Sequence, residues 1–128
     1  MIRTLLFMII ASSATVSAAA GSLAGAFAVN PDRPGQYGFT FNRDSPRQAE
    51  RLALRNCGDG CEIVKVFVGG CGAYAIDTAQ DNIVLGFGAA PRRSQAKAVA
   101  LKNCQALGGS ACADGNSGCN GRRPGRSK

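Results

Sequence analysis

The spacing of apolar residues predicts a helix that starts after Ser45 and ends at about Cys57. Ser45 is a preferred N-cap residue, Pro46 suits the first helical position, and Gln48 has the spacing of a capping box. Glycines follow the last turn, where helices commonly stop. One face of this helix is apolar and carries Ala49, Leu52, Ala53 and Cys57.

A second helical pattern repeats the first 47 positions later, with Ser94 in the place of the Ser45 N-cap. The helix-ending phrase Arg55-Asn56-Cys57 returns there as Lys102-Asn103-Cys104. Identical residues also coincide along the two helices, where Gln48, Ala49, Ala53 and Leu54 meet Gln95, Ala96, Ala100 and Leu101. We infer an internally duplicated chain whose unit is strand, helix, strand.

Runs rich in aromatic and β-branched residues predict strands at 37–41, 62–68, 71–76 and 83–88. The run at 62–68 shows little polar alternation, so we expect it to be buried on both faces. Gly69-Gly70 is expected to form a tight hairpin turn to the next strand. The last strand, within residues 111–116, lacks valine and is expected to be short or irregular. These patterns predict an α+β fold, with two helices on one antiparallel sheet of about five strands.

Residues 1–20 have the order of a secretory signal peptide, with Arg3, then an apolar run, then small residues. We place cleavage after Ala18 or within about two residues of it. A transmembrane anchor is the alternative, because no charge occurs between Arg3 and Asp32. The signal peptide is favoured because the residues after Ala11 are mostly alanine, serine and glycine.

The remaining chain, about 110 residues, predicts one domain. Prolines and a glycine predict an irregular lead-in over residues 21–36, followed by a disulfide-stabilised domain over 37–120. Residues 121–128 lack an apolar anchor and are predicted to be a disordered basic tail. The formal net charge is +7, and this tail contributes Arg122, Arg123, Arg126 and Lys128. A solubilising role is the favoured interpretation of the tail, and binding to anionic surfaces is the alternative.

Six cysteines that follow a signal peptide in the sequence predict a disulfide framework in the periplasm or outside the cell. Symmetry between the repeats favours two local bonds and one that joins the repeats: Cys57–Cys61, Cys104–Cys112 and Cys71–Cys119. Other connectivities stay open at this point. A metal site and a redox-active dithiol are disfavoured, because the chain has no C-x-x-C pair and no histidine. We expect no metal and no cofactor.

The absence of histidine removes the commonest general base and any Ser-His or Cys-His nucleophile. Asp77 and Asp81 flank one turn and could converge as the carboxylates of a hydrolase or a cation site. Backbone hydrogen bonding in the turn is the favoured interpretation of both. We therefore expect a protein that is not an enzyme and has no catalytic residue.

The most functional-looking surface is a row of arginines on the polar face of the first helix. Arg47, Arg51 and Arg55 recur at helical spacing and could bind anions, together with Arg122 and Arg123 of the tail. A solvated helix face is the favoured alternative. The second helix keeps only Lys102 at the matching position of this row.

The order of these motifs resembles that of the DUF4189 family, small secreted bacterial domains of unknown function. The resemblance spans about Phe39 to Cys119 and depends on the two Ala-rich helices that end in Asn-Cys, on the run Gly-Gly-Cys-Gly-Ala-Tyr-Ala, and on Gly-Phe-Gly. It implies an exported, disulfide-bonded α+β domain with no established catalytic residues. The chain departs from the family's pattern after Cys112, where the strand is poor in valine.

These patterns favour a monomeric exported protein that binds a protein or envelope partner, as an inhibitor or an immunity protein would. A cationic protein that binds anionic envelope components is the alternative, with nucleic acid a less favoured partner. A secreted hydrolase that uses carboxylates is the second alternative. No stable membrane span is expected once the signal peptide is removed.

Overall fold

The computed structural model describes residues 22–79 and 83–121. The predicted signal peptide, Asp81 and the basic residues after Gly121 lie outside this range. The described chain forms strands and helices in the order β1 (Ala24–Asn30), β2 (Arg33–Arg43), α1 (Pro46–Cys57), β3 (Glu62–Val68), β4 (Cys71–Asp77), β5 (Val84–Ala90), α2 (Arg93–Ala106) and β6 (Ala113–Cys119). The predicted α+β fold with two helices is confirmed.

The predicted duplication of a strand, helix, strand unit is also confirmed, and one further strand precedes this unit in each half. Each half contains strand, strand, helix, strand and forms its own antiparallel sheet, in the order β2-β1-β3 or β5-β4-β6. The first strand of each half lies in the centre and pairs with both of the others. The expected single sheet of about five strands is therefore corrected to two sheets of three strands.

The predicted irregular lead-in over residues 21–36 is wrong from residue 24 onward. These residues form β1 and the first part of β2, which pair so that Phe27 lies opposite Phe39. The sequence gives no clear strand signal for β1, because its helix-facing side chains at positions 24, 26 and 28 are alanines, which are depleted in strands. Pro34 is compatible with β2 because β2 is an edge strand of its sheet.

Gly69 and Gly70 connect the two halves and do not form the predicted hairpin, because β3 and β4 belong to different sheets. Both glycines have positive φ angles, 65° and 57°, which side chains disfavour. The Gly69 amide donates a hydrogen bond to the Leu23 carbonyl at 2.8 Å. The Asn120 side-chain amide donates to the Gly69 carbonyl at 3.0 Å. Leu23 and Asn120, near the two ends of the domain, thus hold the connection between the halves in place.

Each helix packs against its own sheet through small side chains. Fully buried alanines form these contacts: Ala24, Ala26 and Ala28 with Ala49 and Ala53 in the first half, and Ala73 and Ala75 with Ala96 and Ala100 in the second. Gly38 of β2 and Gly86 of β5 approach the helices so closely that an added Cβ would collide with helix backbone atoms. The Ala-rich pattern therefore brings helix and sheet into close contact.

The two sheets pack face to face through aromatic rings, with the helices on the outer faces. Phe27 is fully buried, and its ring centroid lies 4.6 Å from Phe39 in its own sheet and 4.6 Å from Phe87 in the other sheet. Phe67 stacks on Phe27 at 5.6 Å. Side chains alternate along a strand, so β1 presents alanines to the helix and Phe27 to the opposite sheet.

Strand β3 is exposed over much of its surface, and the prediction that it is buried on both faces is wrong. Val64 is 45% exposed and Val68 is 55% exposed. Within the described residues β3 is an edge strand with β1 as its sheet neighbour, so one side of it faces solvent. Its apolar run, which Lys65 interrupts, therefore includes side chains that are exposed to solvent.

Two further predictions concern the second half. Strand β6 has seven residues and is not short, because it pairs with β4 and its glycines at 115 and 118 pack against the rings of Tyr74 and Phe41. Its pairing with β4 is irregular between Ala73 and Ala75, which was the other predicted outcome. Helix α2 begins at Arg93 with Arg92 as the extended N-cap residue, so Ser94 lies inside the first turn. In α1, by contrast, Ser45 is the N-cap as predicted, and its hydroxyl accepts the Gln48 amide at 3.1 Å.

All three predicted disulfides are present, and no described cysteine is free. The role assigned to one of them is corrected, because Cys71–Cys119 does not join the repeats. Cys71 begins β4, Cys119 ends β6, and the two residues are directly opposite in the second sheet. The equivalent pair in the first half is Ala24 and Val68. The bond therefore closes the second repeat on itself.

Candidate binding cleft

One side of the sheet sandwich, between β2 and β6, is closed by polar and aromatic contacts. The Tyr37 and Tyr74 hydroxyls share a hydrogen bond at 3.1 Å across the two sheets. The Asn42 amide donates to the Asn120 side chain at 2.7 Å, and the Gly121 amide donates back to the Asn42 side chain at 2.7 Å. These contacts hold the two sheets together on this side.

The opposite side of the sandwich is open. A cleft of about 530 Å³ lies between β3 of the first sheet and β5 of the second, and it extends to the β1–β2 turn and the end of α2. Nine of its twelve lining residues are apolar: Val29, Pro31, Pro34, Val64, Ile83, Val84, Leu85, Phe87 and Leu107. A second depression of about 450 Å³ adjoins the cleft at Lys65 and follows β3 toward Pro91. We call the first cavity the β3–β5 cleft.

Exposed apolar side chains are concentrated at this opening. Val64 and Leu107, exposed by 45% and 67%, line the β3–β5 cleft, and Val68 lines the adjoining depression. Among the described residues, Val99 is the one other large apolar side chain that is comparably exposed. Exposed apolar groups gathered around a concave opening are typical of binding sites.

The polar residues of the cleft differ in what they can offer a ligand. Asn30 is engaged within the fold, because its side-chain amide donates to the Gln36 side chain at 3.1 Å and its oxygen accepts the Asp32 amide at 3.0 Å. Asn103 donates to the Phe87 carbonyl at 2.6 Å. Lys65 is exposed and is the one charged residue among those that line the cleft.

The arginine row predicted from the sequence lies on a different surface. Arg47, Arg51 and Arg55 are all exposed on α1, on the face opposite the buried Ala49 and Ala53. None of the three lines the β3–β5 cleft. The two arginines of the tail that were grouped with them, at positions 122 and 123, lie outside the described residues.

Asp77 is fully buried, and its carboxylate accepts hydrogen bonds from backbone amides. One of its oxygens accepts the amide of Ala79 at 2.9 Å, and the other accepts the amides of Ser110 and Ala111, each at 2.9 Å. The carboxylate thus orders the segment that leads to Cys112. Its proposed partner in a hydrolase or cation site, Asp81, lies outside the described residues.

All six cysteines form disulfides. Within residues 22–79 and 83–121, no group of three or more cysteine, aspartate or glutamate residues is placed to hold a metal ion. Neither helix in this range has the length and apolarity needed to cross a membrane.

Sequence reasoning missed the β3–β5 cleft. Its walls come from turns and strand edges that are distant in the sequence, so no local motif marks it. One signal was available, because Lys65 interrupts an otherwise apolar strand. Leu107 was a second, since it is an apolar residue placed just beyond the end of α2.

Comparison with known proteins identifies the chain's relatives. Residues 24–119 match the family model described as Domain of unknown function (DUF4189). The fold is similar to the NMR structure of Rv1813c from Mycobacterium tuberculosis, with a TM-score of 0.56 and 24% sequence identity over 94% of each chain. That likeness concerns the fold alone. No curated protein matches the sequence.

Proposed function

This chain belongs to the DUF4189 family, a domain of unknown function, and we propose that it is an exported, non-enzymatic binding protein. The observation that carries this proposal is the β3–β5 cleft, an open and largely apolar cavity in a scaffold held by three disulfides. Its volume of about 530 Å³ falls within the range of ligand sites. A pre-formed cavity in a rigid scaffold lowers the entropy cost of binding.

A binding role agrees better with the side chains than a catalytic role does. The cleft lining contains no carboxylate and no cysteine, and the chain has no histidine. Asp77, the described member of the proposed carboxylate pair, already accepts three backbone amides. General acid–base chemistry needs a titrating group within reach of the substrate, and the cleft offers Lys65 alone.

Export is supported by the disulfides, because such bonds persist in oxidising compartments and are rare in the cytosol. The signal-like order of residues 1–20 points the same way. Mass analysis of the protein from the periplasm and the culture fluid tests this part of the proposal. We expect a chain that lacks about 20 residues and has no reactive thiol, whereas a full-length, reduced chain in the cytosol would contradict export.

Binding through the cleft can be tested by native mass spectrometry. Wild-type protein, Val64→Asp and Val99→Asp would each be incubated with an extract of the bacterial envelope. Both valines are exposed, so both variants should fold, but Val64 lines the cleft and Val99 does not. We expect wild type and Val99→Asp to gain ligand mass and Val64→Asp to lose most of it. Equal behaviour of the three proteins would overturn the binding function.

A second candidate function is the binding of anionic envelope components by the arginine row. Arg47, Arg51 and Arg55 lie at four-residue spacing on one exposed face of α1, which makes a continuous positive edge. Binding of this kind weakens steeply as salt is raised. Retention on an anionic envelope fraction that is unchanged between low and high salt would exclude this candidate.

A further inference from the structure

We propose that the β3–β5 cleft binds a small amphiphile with one hydrocarbon chain and an anionic head group, such as a long-chain carboxylate. This inference rests on the proposed binding function and names the chemical class of its ligand. The hydrocarbon chain would lie between the sheets, and the head group would lie at Lys65.

The lining of the cleft favours a hydrocarbon chain. Leu85 and Phe87 belong to the strand of the second sheet that borders the cleft, and Val29 belongs to the central strand of the first. The two asparagine side chains in the lining already bond to other parts of the protein. An extended peptide could pair with the free edge of β3 along one side only, and burying its remaining amide groups against apolar walls without partners is costly. Methylene groups carry no such cost.

The charge of the cleft favours an anionic head group. Lys65 is the only charged lining residue, and it lies where the cleft meets the adjoining depression along β3. An ammonium group at an exposed rim can pair with a carboxylate while both stay in contact with water. The exposed Val64 beside it and Leu107 form the apolar part of the rim. Apolar walls with one rim cation match the two ends of an amphiphile.

The test uses calorimetric titration of the exported, disulfide-bonded protein with saturated carboxylates of eight to fourteen carbons, each below its micelle concentration. Affinity should rise by about fourfold for each added methylene until the chain fills the cleft. Val64→Asp should abolish binding, and Val99→Asp should leave it unchanged. An affinity that does not depend on chain length would overturn the proposal.

The head-group contact is tested by comparing laurate with dodecanol. Lys65→Met should weaken laurate binding by about two- to fivefold, because an exposed ion pair contributes modestly. Dodecanol binding should be unchanged by the same substitution. Arg93→Met is the matched control, since it removes one positive charge from an exposed residue of α2 outside the cleft, and it should affect neither ligand. Equal losses for laurate and dodecanol in Lys65→Met would contradict an anionic head group.

Other occupants of the cleft give different results. A second copy of the chain would produce dimers in sedimentation that Val64→Asp disrupts, and a peptide partner would protect the backbone amides of β3 from hydrogen exchange. Either result without carboxylate binding would overturn the amphiphile proposal. If carboxylates fail but envelope extract still adds mass that depends on Val64, the ligand class is wrong and the binding function stands. If both fail, both proposals fall.

Discussion

The hydroxyls of Tyr37 and Tyr74 share a hydrogen bond at 3.1 Å, and this contact joins the two sheets on their closed side. Their ring centroids lie 4.9 Å apart. The sandwich is therefore fastened along one side and open along the other, at the β3–β5 cleft. Although the two halves of the chain are nearly equivalent, the two sides of the sandwich differ, and the open side provides space for a ligand.

The tyrosine pair predicts a measurable alkaline titration. Burial, followed by the hydrogen bond and charge interaction with Tyr37, raises the pKa of Tyr74 from 10.0 to about 12. Because the folded-state pKa is raised, the stabilisation from this pair is present below about pH 10 and is lost as the pH rises toward about 12. Absorbance at the tyrosinate band should resolve this step, since the chain contains two tyrosines.

Two variants assign that titration. Tyr74→Phe should remove the high-pH step, and Tyr37→Phe should move the pKa of Tyr74 part of the way back toward 10.0, because burial remains as the largest cause. A single titration near the ordinary tyrosine value in the wild-type protein would contradict the packing of this pair.

We predict that Asp77 stabilises the fold and that replacing its carboxylate by an uncharged amide destabilises it. The Asp77 carboxylate accepts hydrogen bonds from the backbone N–H groups of Ala79, Ser110 and Ala111. In Asp77→Asn, the side-chain NH₂ is itself a donor and would face these donors. The free energy of unfolding should fall by about 1–3 kcal/mol, measured by denaturant titration. Asp114→Asn on exposed β6 is the control and should change it little. Equal effects would show that Asp77 does not hold this segment.

The three disulfides should contribute unequally, in the order of the chain length they enclose. Their sequence separations are 48 for Cys71–Cys119, 8 for Cys104–Cys112 and 4 for Cys57–Cys61. Loop-closure entropy predicts that replacing both cysteines of a pair by alanine costs about 4, about 2.5 and about 2 kcal/mol in that order. Thermal and denaturant unfolding of the three double variants measures this, and the reverse order would refute the entropic explanation.

The close helix–sheet contact predicts that Gly38 does not tolerate a methyl group. A Cβ there would collide with the backbone of α1 at Ala53 and Cys57. Gly38→Ala should lower the free energy of unfolding by about 1–3 kcal/mol, as overpacking does. Gly121→Ala is the control, since its Cβ would meet only the Asn42 side chain at 3.6 Å. If Gly38→Ala were as stable as this control, α1 would lie farther from β2 than the structure places it.

The local patterns in the sequence were sufficient for α1, for the repeat and for the disulfide pairing. They failed where tertiary pairing decides the outcome. The alanines of β1 form a central strand because β2 and β3 pair with it on both sides, and Gly69-Gly70 resembles a hairpin turn although its flanking strands enter different sheets. The same omission of β1 misplaced the repeat boundary, so that Cys71–Cys119 was interpreted as a bond between the repeats. Lys65 could be noticed in the sequence, but its place at a cleft depends on how the two sheets pack.

Ligand binding at the β3–β5 cleft is tested most directly by an amide chemical-shift titration of the full exported protein with laurate. We expect the largest shifts at the cleft, around Val64, Lys65, Val84 and Leu107, and we expect Val64→Asp to remove them and Val99→Asp to keep them. Shifts confined to the exposed face of α1, or no shifts at all, would contradict the assignment of the β3–β5 cleft as the binding site.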